Sequence, residues 1–252
     1  MNSVLLFFIA ALATANAASL TENLDPRIVN GQDVKPGEIP FQVSLQQNGR
    51  HFCGGSVLNA HYILTAAHCV VDQGAATDIE IVVGTTNLQV RPSMYRGSKI
   101  IVHEKYQSWN NWMNDIALIK VDTSIATGSQ VSYVPLPSAN EPVRAGAEAV
   151  VSGWGRLRMN GPTTDKLQKA RIYITDQTAC RNVYHTIFDS QICASDPQTV
   201  RGACNGDSGG PLTVNGKIVG IVSWSRGCAL SDYPTVYTRV TSYLDWIRQH
   251  AV

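Results

Sequence analysis

The sequence predicts an all-β protein made of antiparallel barrels or a sandwich, and three observations carry that reading. Phe41-Gln42-Val43-Ser44-Leu45-Gln46 alternates apolar and polar residues, the period of a strand with one face buried. Leu212-Thr213-Val214 and Lys217 to Val222 flank Asn215-Gly216, a dipeptide suited to the two left-handed positions of a type I′ hairpin turn. Short apolar runs broken by Gly and Pro recur along most of the 252 residues, the pattern of many short strands.

The elements follow in order. Val4 to Ala13 is an apolar stretch too short to span a bilayer, and Ala15-Asn16-Ala17 is a small-x-small cleavage site. Residues 1–17 are therefore expected to be a signal peptide, with a weak n-region whose only positive charge is the α-amino group. Residues 18–27 are polar, contain Pro26 and end in Arg27, which reads as a linker ahead of the apolar Ile28-Val29. Further strands are expected at Ile79 to Val83, Ile116 to Val121, Ala149 to Val151 and Arg171 to Ile174. Pro135, Pro137 and Pro142 punctuate the middle and divide two halves near 134–142. One long helix is expected, at the C-terminus. Ser242 with Asp245 three residues on resembles a capping box, and Tyr243, Trp246 and Ile247 share a face. No internal repeat is visible.

Composition narrows the function. The net charge is +1 with acids and bases interspersed, so no basic run points to nucleic acid and no acidic tail to a charged partner. No stretch after the signal is long and apolar enough to anchor the chain in a membrane. Export into an oxidising compartment makes the six cysteines three expected disulfides, with fifteen possible connectivities. There is no C-x-x-C pair, so zinc is a weak alternative even though His61 and His68 lie near Cys53 and Cys69. No N-x-[ST] sequon occurs.

The chemistry centres on Gly206-Asp207-Ser208-Gly209-Gly210-Pro211. Glycines on both sides allow a tight turn that aims one hydroxyl and nearby backbone N–H groups at a single point. A serine hydroxyl needs a base to become a nucleophile. Thr65-Ala66-Ala67-His68-Cys69 supplies an imidazole, and Asn114-Asp115-Ile116-Ala117-Leu118 places a carboxylate on an apolar run. The same glycine run also fits the G-x-S-x-G nucleophile elbow. That elbow needs a strand before the serine, a helix after it and a histidine downstream. Here Arg201-Gly202-Ala203-Cys204 is no strand, Pro211 opens a hairpin, and His250 alone follows. The elbow reading fails.

From Ile28 to Val252 the chain resembles the secreted chymotrypsin/trypsin/elastase family of serine endopeptidases. The resemblance rests on Ile28-Val29-Asn30-Gly31, Cys53-Gly54-Gly55-Ser56, the His68 and Asp115 motifs and Gly153-Trp154-Gly155. It continues through the Ser208 motif, Ser223-Trp224 and Pro234-Thr235-Val236-Tyr237. The order His68, Asp115, Ser208 is that of the family's triad. The implied fold is two six-stranded antiparallel β-barrels with a C-terminal helix and the active site in the cleft between them. The implied disulfides are Cys53–Cys69, Cys180–Cys193 and Cys204–Cys228.

The resemblance also assigns roles. Ser208 would attack the scissile carbonyl, His68 would take and return its proton, and Asp115 would orient the imidazole. The N–H groups of Gly206 and Ser208 would form the oxyanion hole. Residues 18–27 would be an activation propeptide ahead of a peptidase domain at 28–252. Cleavage after Arg27 by a trypsin-like activating protease would let the new α-ammonium of Ile28 pair with a buried Asp207. The substrate pocket would have its base at Gly202 beside Ala203, with Ser223 and Trp224 nearby and walls at Ser225 and Thr235. Gly202 offers no carboxylate for Arg or Lys. Side chains at both walls imply an elastase-like preference for small or medium apolar residues, with a chymotrypsin-like preference for Leu or Phe as the alternative.

The loop Thr85-Thr86-Asn87-Leu88-Gln89-Val90 lacks the acidic pair that binds calcium in vertebrate trypsins, so no metal and no cofactor is expected. The expected partners are polypeptide substrates, the activator and protein protease inhibitors, for a secreted, extracellular monomer of digestive type acting in the gut lumen. Two other classes are a catalytically dead homologue acting as a binding protein and a regulatory cascade protease. The first usually loses the serine or histidine, and no cysteine-rich module stands ahead of Ile28.

Overall fold

Asn-Gly turns and alternating strands build two barrels. A computed structural model describes residues 28–139 and 141–252. The expected signal peptide and propeptide, 1–17 and 18–27, lie outside the described residues. A two-residue strand β1 (Gln32–Asp33) precedes the first barrel, which comprises β2 (Gln42–Gln47), β3 (Arg50–Val57), β4 (Tyr62–Thr65), β5 (Glu80–Val83), β6 (Ser93–Val102) and β7 (Ala117–Val121). They pair in the order β2-β3-β4-β7-β6-β5 and close through β2 and β5. The second barrel comprises β8 (Glu148–Gly153), β9 (Gln168–Ile174), β10 (Gln191–Ser195), β11 (Pro211–Val214), β12 (Lys217–Trp224) and β13 (Thr235–Arg239). Its order β9-β10-β13-β12-β11-β8 is closed by pairing of β8 with β9, and β1 adds to the outside of β9. Closure removes the exposed strand edges that an open sheet would leave.

The predicted hairpin between β11 and β12 turns at Asn215 and Gly216, with φ of 50° and 76°. A second hairpin, β2 to β3, turns the same way at Asn48 and Gly49, with φ of 51° and 71°. It carries the same Asn-Gly signature, so the signal was present in the sequence. Each barrel has its own apolar core, around Leu45, Ile63, Ile81 and Leu118 in the first and Val151, Ile172, Leu212 and Tyr237 in the second. The proline-rich segment around 134–142 falls between the end of β7 and the start of β8.

Two helical expectations are corrected. A helix α1 (Gln177–Tyr184) was not anticipated, although Asp176 caps it by accepting from the Ala179 N–H at 2.9 Å. The C-terminal helix α2 is short, Leu244–His250, and follows a 3₁₀ turn at Val240–Tyr243. Ser242 lies inside that turn and makes no capping bond, because Val240 and Tyr243 are buried and hold the chain in the tighter coil. The shared face is as expected: Tyr243, Trp246 and Ile247 are buried. They pack with Leu244 on the first barrel's core, and the Tyr62 hydroxyl donates to the Val252 carbonyl at 2.8 Å. The chain thus leaves the second barrel and ends against the first, fixing one to the other. Among the described residues no helix is long and apolar enough to cross a membrane.

Candidate active site

His68 sits on a one-turn 3₁₀ helix, Ala67–Cys69, directly after β4. The Cys53–Cys69 disulfide ties that turn to β3. Asp115 lies two residues before β7, after Asn114, whose φ of 58° turns the chain inward. Its carboxylate is fully buried and well supplied with donors. The His68 backbone N–H reaches Oδ1 at 2.9 Å, His68 Nδ1 lies 2.7 Å from Oδ2, and the Ser223 hydroxyl reaches Oδ2 at 2.5 Å. Thr238 Oγ1 donates to the Asp115 carbonyl at 2.7 Å, so the second barrel grips the first at this residue. A carboxylate only accepts, so the hydrogen of the imidazole is on Nδ1 and the lone pair on Nε2.

The Ser208 segment comes from the second barrel and is held by the first. Gly54, on β3, donates its N–H to the Ser208 carbonyl at 2.7 Å. Gly209 N–H donates to Val222 at 2.8 Å and Gly210 N–H to Asp207 at 2.9 Å. The Ser208 hydroxyl has no hydrogen-bond partner among the described residues, and no bond closes between it and His68 Nε2. Both side chains line one cleft of about 440 Å³. A larger hollow, about 910 Å³ beside Tyr173, Val183 and Arg201, contains none of the three residues.

The backbone around Ser208 leaves two donors unused. Asp207 N–H donates to the Cys204 carbonyl at 3.0 Å, whereas the N–H groups of Gly206 and Ser208 on either side have no protein acceptor among the described residues. Gly206 has φ of 98°, a conformation that disfavours a side chain. Its carbonyl accepts from His51 Nε2 at 2.9 Å. The other ring nitrogen, Nδ1, accepts from the Ser44 hydroxyl at 2.8 Å, and Ser44 in turn accepts from Gln46 at 3.0 Å. Burial pushes the His51 pKa down, which keeps the ring neutral. Sequence reasoning missed this chain of bonds, because nothing near Ser44 or His51 marks a partner more than 150 residues away.

Asp207 is fully buried and accepts from the N–H groups of Gly155 at 2.8 Å and Cys204 at 2.9 Å. Burial outweighs those bonds and pushes its pKa up to about 7. A Cβ on Gly155 would lie 2.5 Å from the carboxylate, which explains a glycine after Trp154. Ile28 is also fully buried, in the core of the second barrel, and Val29 bridges to Gly202. No cation faces Asp207 among the described residues.

The predicted pocket residues are brought together with one exception. Ala203, Ser223, Trp224, Ser225 and Thr235 line the cleft with Ser208, but Gly202 does not. Gly202 is buried beside Ala229 and Ile172, whereas Ala203 and the buried Thr235 line the hollow. The lining also includes Trp112, Met159, Asn205 and Arg226, which the sequence reading left out. Trp112 stacks on Trp224 with ring centroids 5.7 Å apart.

All three implied disulfides form: Cys53–Cys69, Cys180–Cys193 and Cys204–Cys228. Cys53, His68 and Cys69 are close enough for a metal, but both sulfurs are spent on their disulfide. The Thr85 to Val90 loop is closed by its own groups, with Thr85 Oγ1 donating to the Asn87 carbonyl at 2.7 Å and Asn87 Oδ1 accepting from the Gln89 N–H at 3.0 Å.

Comparison with known proteins gives a consistent result. A family model described as trypsin matches residues 28–247. The chain is 41% identical over 223 residues to Chymotrypsin-2 of Vespa crabro, covering 88% of this chain and 99% of that protein. It is 38% identical over 268 residues to Trypsin Blo t 3 of Blomia tropicalis, covering 100% and 99% of the two chains. Serine protease 1 of Rattus norvegicus is 39% identical over 245 residues, with 95% and 96% covered.

Proposed function

We propose that this chain, which belongs to the trypsin family and is a serine endopeptidase, cuts polypeptides by an acyl-enzyme route carried by Ser208, His68 and Asp115. The observation that carries this reading is the buried Asp115 carboxylate holding both the backbone and Nδ1 of His68, whose ring lines the cleft that Ser208 shares. Among the described residues its Nε2 meets only the disulfide sulfur of Cys69 at 3.8 Å, which has no hydrogen to give. Ser208 Oγ attacks the carbonyl carbon and its proton passes to His68 Nε2. Asp115 stabilises the imidazolium, which then protonates the leaving amine, and a water repeats the sequence to release the acid. The unused N–H groups of Gly206 and Ser208 receive the oxyanion, each worth about 3 kcal/mol in the transition state. The contact between Ser208 and His68 tightens when substrate fills the cleft.

Substrate choice follows from the end of the hollow. Thr235 and Ser225 line it and Gly202 does not, which supports small or medium apolar residues before the scissile bond. Among the described residues no carboxylate lines the cleft, which argues against a preference for Arg or Lys. A chymotrypsin-like preference is the second reading, favoured by the relative from Vespa crabro that bears that name.

The chain is made as a secreted precursor. A trypsin-like protease cuts after Arg27, Ile28 gains an α-ammonium, and that cation pairs with Asp207 and orders the Gly206 to Ser208 turn. The product is a monomer of digestive type, open to protein inhibitors that mimic a substrate loop. The test is labelling of the activated protein by a serine-directed phosphonate, alongside a peptide-library cleavage profile. Wild type should label and Ser208→Ala should not, with a kcat loss of about 10⁶-fold and an unchanged melting midpoint. Proteolysis by Ser208→Ala near the wild-type rate would overturn the assignment.

A further inference from the structure

One side chain in the cleft carries a fixed charge. Arg226 is exposed on the wall next to Ser225, and no Asp, Glu or Lys lines the cleft with it. Other arginines face carboxylates: Arg91 lies by Glu80, Arg181 by Asp189 and Arg201 by Asp196. Arg226 has no carboxylate partner among the described residues. Its guanidinium carbon instead sits 4.7 Å from the ring centre of Tyr233.

That ring belongs to an aromatic wall. Tyr233 leans on Tyr184 at 6.3 Å, and Tyr184 meets Trp224 edge-on at 4.8 Å. The Tyr184 hydroxyl is fixed to the Pro234 carbonyl at 2.8 Å. A guanidinium lying over an aromatic face spends its face on the ring and keeps its in-plane N–H fork available. A carboxylate arriving in that plane gains two parallel bonds without first displacing a competing acid. The net charge of the whole chain is only +1, so the attraction is local to this wall.

We infer that Arg226 is a specificity-determining residue that selects substrates carrying Asp or Glu a few residues before the scissile bond. The inference rests on the reading that Ser225 and Thr235 take the residue immediately before that bond. An extended substrate advances about 3.3 Å per residue along the wall, so positions two to four before the cut come within reach of a side chain adjacent to Ser225. The enzyme would then favour an acidic residue followed by an apolar one at the cut. The contact is solvent-exposed, so its effect is a modest one of about three-fold in kcat/KM.

The test uses the activated protein and peptides identical except for Glu, Gln or Lys at each of those positions, and reads the ratios within each variant. Wild type should favour Glu over Gln about three-fold at one position at low salt. That ratio should fall towards one near 1 M salt, where screening shortens to about 3 Å. Arg226→Gln should abolish it, and Arg226→Glu should turn the preference to Lys. Equal cutting of Glu and Gln peptides by wild type at every position overturns the inference, as does a Glu preference that survives in Arg226→Gln. Cleavage after aromatic residues would revise the wall reading yet leave the Glu/Gln ratio to judge Arg226. No turnover of any peptide would overturn both.

Discussion

His51 Nε2 lies 2.9 Å from the carbonyl oxygen of Gly206 and can only be its donor, which turns that carbonyl toward the first barrel. The neighbouring N–H groups of Gly206 and Ser208 have no protein acceptor among the described residues. A first-barrel residue on β3 therefore fixes the Gly206–Asp207 peptide, which lies between the two peptides whose N–H groups are proposed to bind the oxyanion. The two barrels meet through this bond, through Gly54 on the Ser208 carbonyl and through Thr238 on the Asp115 carbonyl.

Replacing His51 by Leu removes that donor and leaves a carbonyl to be solvated or turned. An unmet buried acceptor costs about 1–3 kcal/mol, so kcat should fall roughly ten-fold or more, with a smaller change in KM. Acid stability should also respond. Burial depresses the His51 pKa from its ordinary 6.5, so the unfolded chain takes up a proton there before the folded one does. That difference weakens the fold as pH drops below about 6.5, and His51→Leu should flatten this limb of a melting series. A kcat equal to wild type would remove His51 from the positioning role.

Gly155→Ala tests why the glycine after Trp154 is needed. The added methyl would sit 2.5 Å from the Asp207 carboxylate, which is itself fixed by two backbone donors and has nowhere to move. The variant should lose about 1–3 kcal/mol of stability and most of its activity, because the same loop carries Ser208. Normal melting with normal kcat/KM would mean that the loop yields more easily than this geometry allows.

Asp207 should give a pH-dependent difference between the uncut chain and a chain cut at the proposed site. Its ordinary value is 3.8 and burial raises it to about 7. The folded chain therefore keeps a proton that the unfolded chain has released. The stability this provides is complete below about pH 4 and is lost as pH rises through about 7, on the order of 4 kcal/mol in all. The proposed cleavage after Arg27 would place an ammonium against the carboxylate and favour its charged form. The melting midpoint of the cut chain should thus exceed that of the uncut chain by more at pH 8 than at pH 5. Asp207→Asn in the uncut chain should remove its decline over that range. Parallel pH curves for the cut and uncut chains would dispose of the pairing.

Much of this was legible in the sequence because it is local. Asn215-Gly216 states its own turn, and the glycines around Ser208 mark a turn that no other residue type would fill as easily. The carboxylate of Asp115 within an apolar run announced a buried charge, which requires partners. What stayed hidden was mostly non-local. Strand β6 is largely exposed and carries Arg96 and Lys99, so its apolar period is faint, and β4 is a four-residue buried run that a helix could equally contain. The bonds from His51 to Gly206 and from Ser223 to Asp115 join positions 155 and 108 residues apart, and neither end has a motif that names the other. Gly202 was placed at the pocket base by likeness alone, and the lining of the cleft holds its neighbour Ala203 rather than Gly202 itself.

The pocket walls provide the sharpest test of selectivity. Thr235 is buried, β-branched and lines the cleft with Ala203 and Ser225, so in the proposed pocket its methyl and hydroxyl would stand in the path of a large ring. Ser225 is held to the wall by donating its hydroxyl to the Gly227 carbonyl at 2.6 Å, which keeps that side chain from swinging aside. Replacing both by Gly should raise kcat/KM for substrates with Phe before the cut relative to those with Ala. The removed volume is a few methyl-sized groups, so the relative shift should be about 1–3 kcal/mol, or roughly ten- to a hundred-fold. The readout is a ratio, so a general loss of activity from two new glycines does not obscure it. Thr235→Gly alone should give most of the shift, since Ser225 is exposed whereas Thr235 is buried. A wild-type enzyme that already prefers Phe strongly, with no change in the double variant, would replace the elastase-like reading by the chymotrypsin-like one.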